Sequence, residues 1–438
     1  MPASRSSVEL IVRLAIMMFL QFFIWGSWYV SMDGFLGEMG MKPGEDDLFS
    51  FHAAAYTVAP LAAIFAPLTL GLIADRFFNT ERVLGVLNLL GAVLLWFTPA
   101  LAAAGTPDSW IGQFFHPMIL MLLLYMICFM PTLGLTASLS FKHLANGEKE
   151  FPIVRVLGTI GWIFGNWAMW GARLVSGNNV DFSDNSGNIF RVAAVASAIL
   201  GLYCFTLPRT DPPAKGEPIS IGKVLGVDAW AMLKIPSFLV FAIASFLICI
   251  PLAGYYTQGY GYVSSQGIEL FGSTTGALST GQMSEILFML LMPLCFARLG
   301  VKWMLGVGML AWVLRYGLWG FAFGQEGILL TAPIFAGILL HGICYDFFFV
   351  SGMIYTDKKA KPEIRGQAQS LVVMLTQGVG LGLGAQLFGW WGTTCNVDGA
   401  VDYAKFWYGP AIFALVVMVL FLVLFWDRST DDAVTKTD

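Results

Sequence analysis

Four charged residues stand inside otherwise apolar stretches of the chain: Arg155, Glu285, Arg315 and Asp346. Each costs about 2.5–3.5 kcal/mol at a helix centre in lipid, even on the most lenient insertion scale. Chains carry such residues where the charge faces a watery cavity or a partner, so they mark a path for substrate, ion or proton. Arg155, Thr159 and Trp162 recur at i, i+4 and i+7 and share one helix face. A fork of donors, a hydroxyl and a stacking plane suit a flat, polar, uncharged ring. The plainer alternative is that Arg155 reaches water at the cytoplasmic end while Trp162 packs as core.

Ser279, Gln282 and Glu285 follow one another in steps of three, so Gln282 and Glu285 face together. Glu285 lies about 14 residues, or roughly 21 Å, from the cytoplasmic end of its helix, near the midplane. There it can hold a pair of sugar hydroxyls, titrate, or sit protonated as a structural donor. His341, Tyr345 and Phe348 form a second i, i+4, i+7 stripe. Arg315 sits about 21 Å deep and Asp346 about 16 Å deep, which allows the two to meet. Such a pair is either a fixed bridge or a proton-coupled switch. Asp346 is the leading candidate for proton coupling, with Arg315 as its partner and Glu285 as the second titrating group. Gln258, among Tyr255, Tyr256, Tyr260 and Tyr262, is a further candidate for a polar lining, with Tyr262 expected in an interfacial belt. Gln21 is the matching polar residue near the start. His341 reads as a packed or hydrogen-bonding residue, and no metal or cofactor is implied.

The elements that must position these residues are membrane helices. The 438 residues are 57% hydrophobic and only 12% charged, against about 25% in soluble domains. Mean hydropathy is +0.72. Continuous apolar runs, without alternation, exclude a β-barrel. Twelve spans are expected: 9–36, 48–74, 82–104, 115–144, 152–175, 188–208, 235–264, 274–298, 302–324, 328–356, 363–391 and 404–427. The first is expected to be retained, not cleaved as a signal peptide. With those spans, eighteen Lys and Arg fall on one side and four (Lys42, Arg173, Arg191, Lys405) on the other. The bias places both termini in the cytoplasm. The six cysteines form no C-x-x-C pair and read as packing residues. No basic tract calls for nucleic acid. No phosphate loop, nucleophile elbow, zinc-protease or dinucleotide motif is present, so enzymatic chemistry and a primary pump are not indicated.

Residues 209–234 are rich in Pro, Gly and charge and read as a cytoplasmic linker between halves 1–208 and 235–438. Six spans, linker, six spans resembles the major facilitator superfamily, whose halves rock about a midplane site. Gly71, Asp75 and Arg76 resemble the G-x-x-x-D-R core of that superfamily's conformational loop motif, though the basic cluster after it is reduced to FFNTERV.

Within that superfamily the chain resembles the nucleoside:proton symporters. The matching stretches are FLQFFIWGSW (19–28), GLIADRF (71–77), FMPTLGL (129–135), FPIVRVLGTIGW (151–162), QMSEILF (282–288), AWVLRYGL (311–318) and YDFFFVSG (345–352). They keep their order across nearly the whole chain. The resemblance implies substrate roles for Arg155, Thr159, Gln282 and Glu285, and aromatic roles for Trp162 and Tyr345 in place of phenylalanines. It implies proton coupling at Asp346. The chain departs from the family at Phe349, where an Asn is usual, and at His341, where a Tyr is usual. The family's polar pair on span seven has Gln258 as its nearest counterpart. The expected protein is a multi-pass, monomeric transporter of the inner or plasma membrane. It would import a nucleoside with protons, bound between the halves. A sugar-like neutral solute is the alternative cargo, and a non-transporting sensor the alternative class.

Overall fold

In the computed structural model, residues 6–41, 51–69, 77–105, 107, 109–177, 179–212, 227–361, 364–397 and 400–426 are described. The loop motif Gly71, Asp75 and Arg76, and positions 213–226 of the linker, lie outside them. Apart from a two-residue hairpin, Asn396–Val397 with Ala400–Val401, the described elements are helices. Backbone groups in a lipid core must be satisfied within the segment, which helices do. Among the described residues eight helices are long and apolar enough to cross a membrane, from Val8–Gly26 to Tyr403–Leu424, and Phe51–Phe65 and Asn188–Cys204 are shorter and apolar.

Several spans differ in detail from the apolar runs. The first helix ends at Gly26, and a short helix Met32–Glu38 follows a turn. Thr280–Ala322 is broken at Gly300, whose φ of 68° is open to glycine, so the 274–298 and 302–324 runs meet at a corner. Ile343–Val350 and Met374–Gly380 are wound as π-helix within longer helices.

The described residues form two compact units. One comprises those of Met1–Lys42, Leu61–Val224 and Glu269–Ala277, and the other those of Pro43–Pro60, Leu225–Ile268 and Leu278–Asp438. In the first, the Thr80–Leu101 and Asn188–Cys204 helices touch through Gly85 and Gly201. A Cβ on either glycine would lie 3.1 Å from the other's carbonyl oxygen. Small residues at such crossings let helices that cannot rely on a hydrophobic driving force gain contact. In the second, Gly380 and Gly384 bring their helix against Phe246 and Ile250 of Pro236–Ser265 in the same way. Tyr262, expected at the interface, is instead fully buried and donates to the Trp319 carbonyl at 2.8 Å.

The segment around Ser273 is held into the first unit by Asp184, which lies in the connection before Asn188–Cys204. Asp184 Oδ2 accepts from Ser273 Oγ at 2.7 Å and Thr275 N at 3.2 Å, while Thr275 Oγ1 donates to the Asn166 carbonyl at 2.7 Å. Desolvation raises the Asp184 pKa above the ordinary carboxylate value, against the opposing pull of the Ser273 and Thr275 donors and of Arg173. A carboxyl raised in the folded state contributes its stability fully on the acid side of its unfolded value and loses it as pH rises through the folded one. Asp184→Asn should therefore gain in melting temperature relative to wild type as pH rises above about 4, the ordinary unfolded carboxylate value. Asp184→Ala, which strands the two donors, should melt lower than Asp184→Asn at each pH. A wild-type-minus-Asn difference that does not change with pH would contradict the assignment.

Candidate binding and proton site

In the first unit, the face predicted from spacing forms on Gly147–Asn166 because that helix packs unusually close to Val8–Gly26. A Cβ at Gly161 would overlap the Phe19 carbonyl oxygen, and one at Gly165 would stand 2.6 Å from that of Phe23. Reciprocally, a Cβ at Gly26 would lie 2.5 Å from the Trp162 carbonyl oxygen. The helices thus meet along glycine, and Arg155, Thr159 and Trp162 come together on a neighbouring face. Arg155 is exposed, with its guanidinium 4.2 Å from the centre of the Phe22 ring. Trp162 is half-buried and meets Trp25 edge-on at 5.3 Å, and its indole N–H has no hydrogen-bond partner. Gln21 is fully buried and donates to Thr132 Oγ1 at 2.7 Å, leaving its Oε1 without a donor. Stacking surface and unused polar atoms are therefore both present here.

The second unit holds the denser cluster. Gly281 and Gly342 let Thr280–Ala322 approach Ile328–Gly342: a Cβ at Gly281 would lie 2.9 Å from the Ile338 carbonyl oxygen, and one at Gly342 2.7 Å from Ser284. That approach brings Gln282 and Glu285 onto His341. His341 Nε2 lies 2.9 Å from Glu285 Oε1 and 3.1 Å from the Gln282 amide. His341 Nδ1 lies 3.0 Å from Arg315 Nη1. Arg315 is wholly buried, its guanidinium carbon 4.0 Å from the centre of Tyr255 and 5.3 Å from that of Trp319. The Tyr345 ring lies 4.2 Å from the His341 ring, and its hydroxyl contacts that of Tyr256.

Three expectations change. Arg315 does not meet Asp346: its polar contact is with His341, and the buried Asp346 Oδ2 has no hydrogen-bond partner. The stripe after His341 and Tyr345 continues to Phe349, 5.2 Å from Tyr345, and Trp312 meets both Phe348 and Phe349 edge-on. The π-winding of Ile343–Val350 is the cause, since each residue there turns by less than the 100° of an α-helix. Gln258 is buried beside Gly392, and the span-seven residues that touch the cluster are Tyr255 and Tyr256. Spacing gave no reason to choose these two tyrosines over their neighbours.

The sequence profile of the nucleoside H+ symporter family matches residues 8–430. The chain belongs to that family. It is similar to the putative nucleoside transporter YegT of Escherichia coli, 36% identical over 97% of this chain and 96% of that protein. It is also similar to the nucleoside permease NupG of Escherichia coli, 29% identical over 95% and 96%. The crystal structure of NupG superposes with a TM-score of 0.80 at 27% identity, covering 96% of this chain and all of that one. The fold is thus that of a polytopic helical membrane transporter of the major facilitator type, and the family is one of transporters, not enzymes.

The glycine contact that forms the Arg155 face is directly testable. Gly161→Ala should lower the melting temperature in detergent, because overpacking a tight contact costs about 1–3 kcal/mol. Gly171→Ala, where a Cβ meets nothing within 4 Å, is the control. Equal stability of the two variants would show that the approach of the helices does not depend on Gly161.

Proposed function

We propose that this chain imports nucleosides together with protons by alternating access. The observation that carries the reading is the assembly of the buried Arg315, His341 and Gln282 with the half-buried Glu285, beside the aromatic Tyr345 and the unpartnered Asp346. It combines neutral donors and acceptors and a stacking ring with a carboxyl that has no cation. A nucleoside is a flat base joined to a hydroxylated sugar, so it needs those two kinds of contact. In this reading Trp162 and Tyr345 stack on the base. Arg155, Thr159, Gln282, Glu285 and His341 hydrogen-bond the base edge and ribose hydroxyls, with Gln258 as a more distant candidate.

Asp346 is the coupling group. An ionised carboxylate held away from water and from any cation is costly, and a proton removes that cost. If water reaches Asp346 differently in two states of the transporter, its proton affinity differs between them. Proton and nucleoside binding then favour the same state by reciprocal linkage. Glu285 is tied to His341, which leaves Asp346 the freer of the two carboxyls. The proposed frame is twelve spans in two six-helix halves, 1–208 and 235–438, with linker 209–234 and both termini cytoplasmic. Gly71, Asp75 and Arg76 act as the conformational loop of a monomer in the inner membrane. The positive-inside charge bias and the family's fold support this frame.

Radiolabelled uridine and adenosine uptake into proteoliposomes tests the proposal. Uptake should rise with an inward proton gradient. Gln282→Ala should weaken nucleoside binding about ten-fold, the worth of one hydrogen bond to a polar substrate group in a buried site. Asp346→Asn should bind nucleoside and exchange it but fail to accumulate it. Gradient-driven accumulation by Asp346→Asn would refute its coupling role, and uptake of a sugar in place of every nucleoside would replace the cargo.

A further inference from the structure

We propose that Arg315 is a positioning residue that fixes His341 in its Nε2–H tautomer, so that the imidazole presents an N–H to Glu285 and Gln282. The inference deepens the reading of this site as a nucleoside site and assigns Arg315 a role other than pairing with Asp346.

The argument is one of donors and acceptors. A guanidinium has five N–H donors, no acceptor, and keeps its charge in proteins. Its Nη1 contact with His341 Nδ1, at 3.0 Å, is a hydrogen bond only if Nδ1 offers a lone pair. The ring proton must then be on Nε2, where an acceptor waits: Glu285 Oε1 at 2.9 Å. Gln282 completes the set. With Nε2 protonated, the amide atom 3.1 Å away acts as the acceptor, so the oxygen of Gln282 faces the ring. Its NH2 group is then turned elsewhere, free to serve a substrate oxygen. An imidazolium, or the Nδ1–H tautomer, would point two N–H groups at each other at the Arg315 contact. Turning the ring over would replace both nitrogen contacts by C–H contacts.

The other groups packed around the ring agree. Tyr345 and Tyr255 meet it with ring faces, their centres 4.2 and 6.0 Å away, and offer no competing proton acceptor at Nδ1. Arg315 Nε and Nη2 have no hydrogen-bond partner, and the guanidinium lies on Tyr255 and Trp319. Aromatic faces stabilise a flat, weakly hydrated guanidinium better than a compact ammonium. The position thus selects Arg over Lys, although Lys would keep the charge. The consequence for binding is that Glu285 receives a donor from one side at all times. Its Oε1 is oriented by His341.

The test has two independent readouts. Solid-state 15N spectra of histidine-labelled protein in lipid bilayers, without nucleoside, report the tautomer of each of the four histidines. The resonance missing from His341→Gln identifies His341. The proposal expects the Nε2–H form between about pH 6 and about pH 8, across which a free imidazole would titrate. The Nδ1–H form or an imidazolium in that range overturns it, whether or not any nucleoside binds. The second readout is uridine affinity in a double-mutant cycle. Arg315→Lys should weaken binding about ten-fold in the native background, the scale of losing one hydrogen bond to a charged group. In His341→Gln, whose amide donates without a tautomer to fix, the same change should cost at most about two-fold. Equal losses in the two backgrounds would reduce Arg315 to a packing residue. If Arg315→Lys does not fold, the spectrum of the wild-type protein decides alone. If the wild type binds no nucleoside, it is the functional reading that fails, and the tautomer still stands or falls by the spectrum.

Discussion

The second unit is organised around one buried charge. Arg315 is fully inaccessible, and a cation withdrawn from water costs several kcal/mol unless its surroundings replace the solvent. Two aromatic faces and one imidazole nitrogen do so here. Because a guanidinium only donates, its neighbour must accept. That requirement passes outward through His341 to Glu285 and Gln282 on another helix stretch. Removing the Arg would release the orientation of each of these groups, because each takes its direction from the one behind it. The same arrangement leaves Asp346 outside the chain of partners, without a donor on Oδ2.

Such a cluster requires helices that approach more closely than ordinary side chains permit. Glycines supply that approach in both units: Gly26, Gly161 and Gly165 where the Arg155 face forms, and Gly281 and Gly342 where Glu285 reaches His341. In a medium as apolar as leucine, close backbone contact replaces the hydrophobic effect as the source of helix association. Packing and binding chemistry are therefore joined. The residues that set helix separation also set which polar atoms can meet.

The class of fold was legible because lipid leaves few choices: continuous apolar runs with charges at their ends become helices. The Arg155, Thr159 and Trp162 face was legible because it lies on one regular α-helix, where spacing alone gives direction. The Arg315–His341 contact was not. It depends on how two helices are rotated against each other, and the same depth that allowed Arg315 to meet Asp346 also allowed it to meet His341. The π-turns of Ile343–Val350 hid the stripe through Phe349, since the shift in period leaves no mark in residue type. Tyr256 was one tyrosine among several until its hydroxyl was found against Tyr345. Pairing of side chains across helices is long-range information, and apolar patterning does not encode it.

The central claim is that a nucleoside does not enter without a proton. The most direct measurement places a pH-sensitive dye inside proteoliposomes at equal internal and external pH, with the membrane potential clamped, and adds uridine outside. The account predicts that the lumen acidifies in step with uridine entry, and that the amplitude scales with the nucleoside gradient. Uridine entry at the same rate with no change in luminal pH would contradict it.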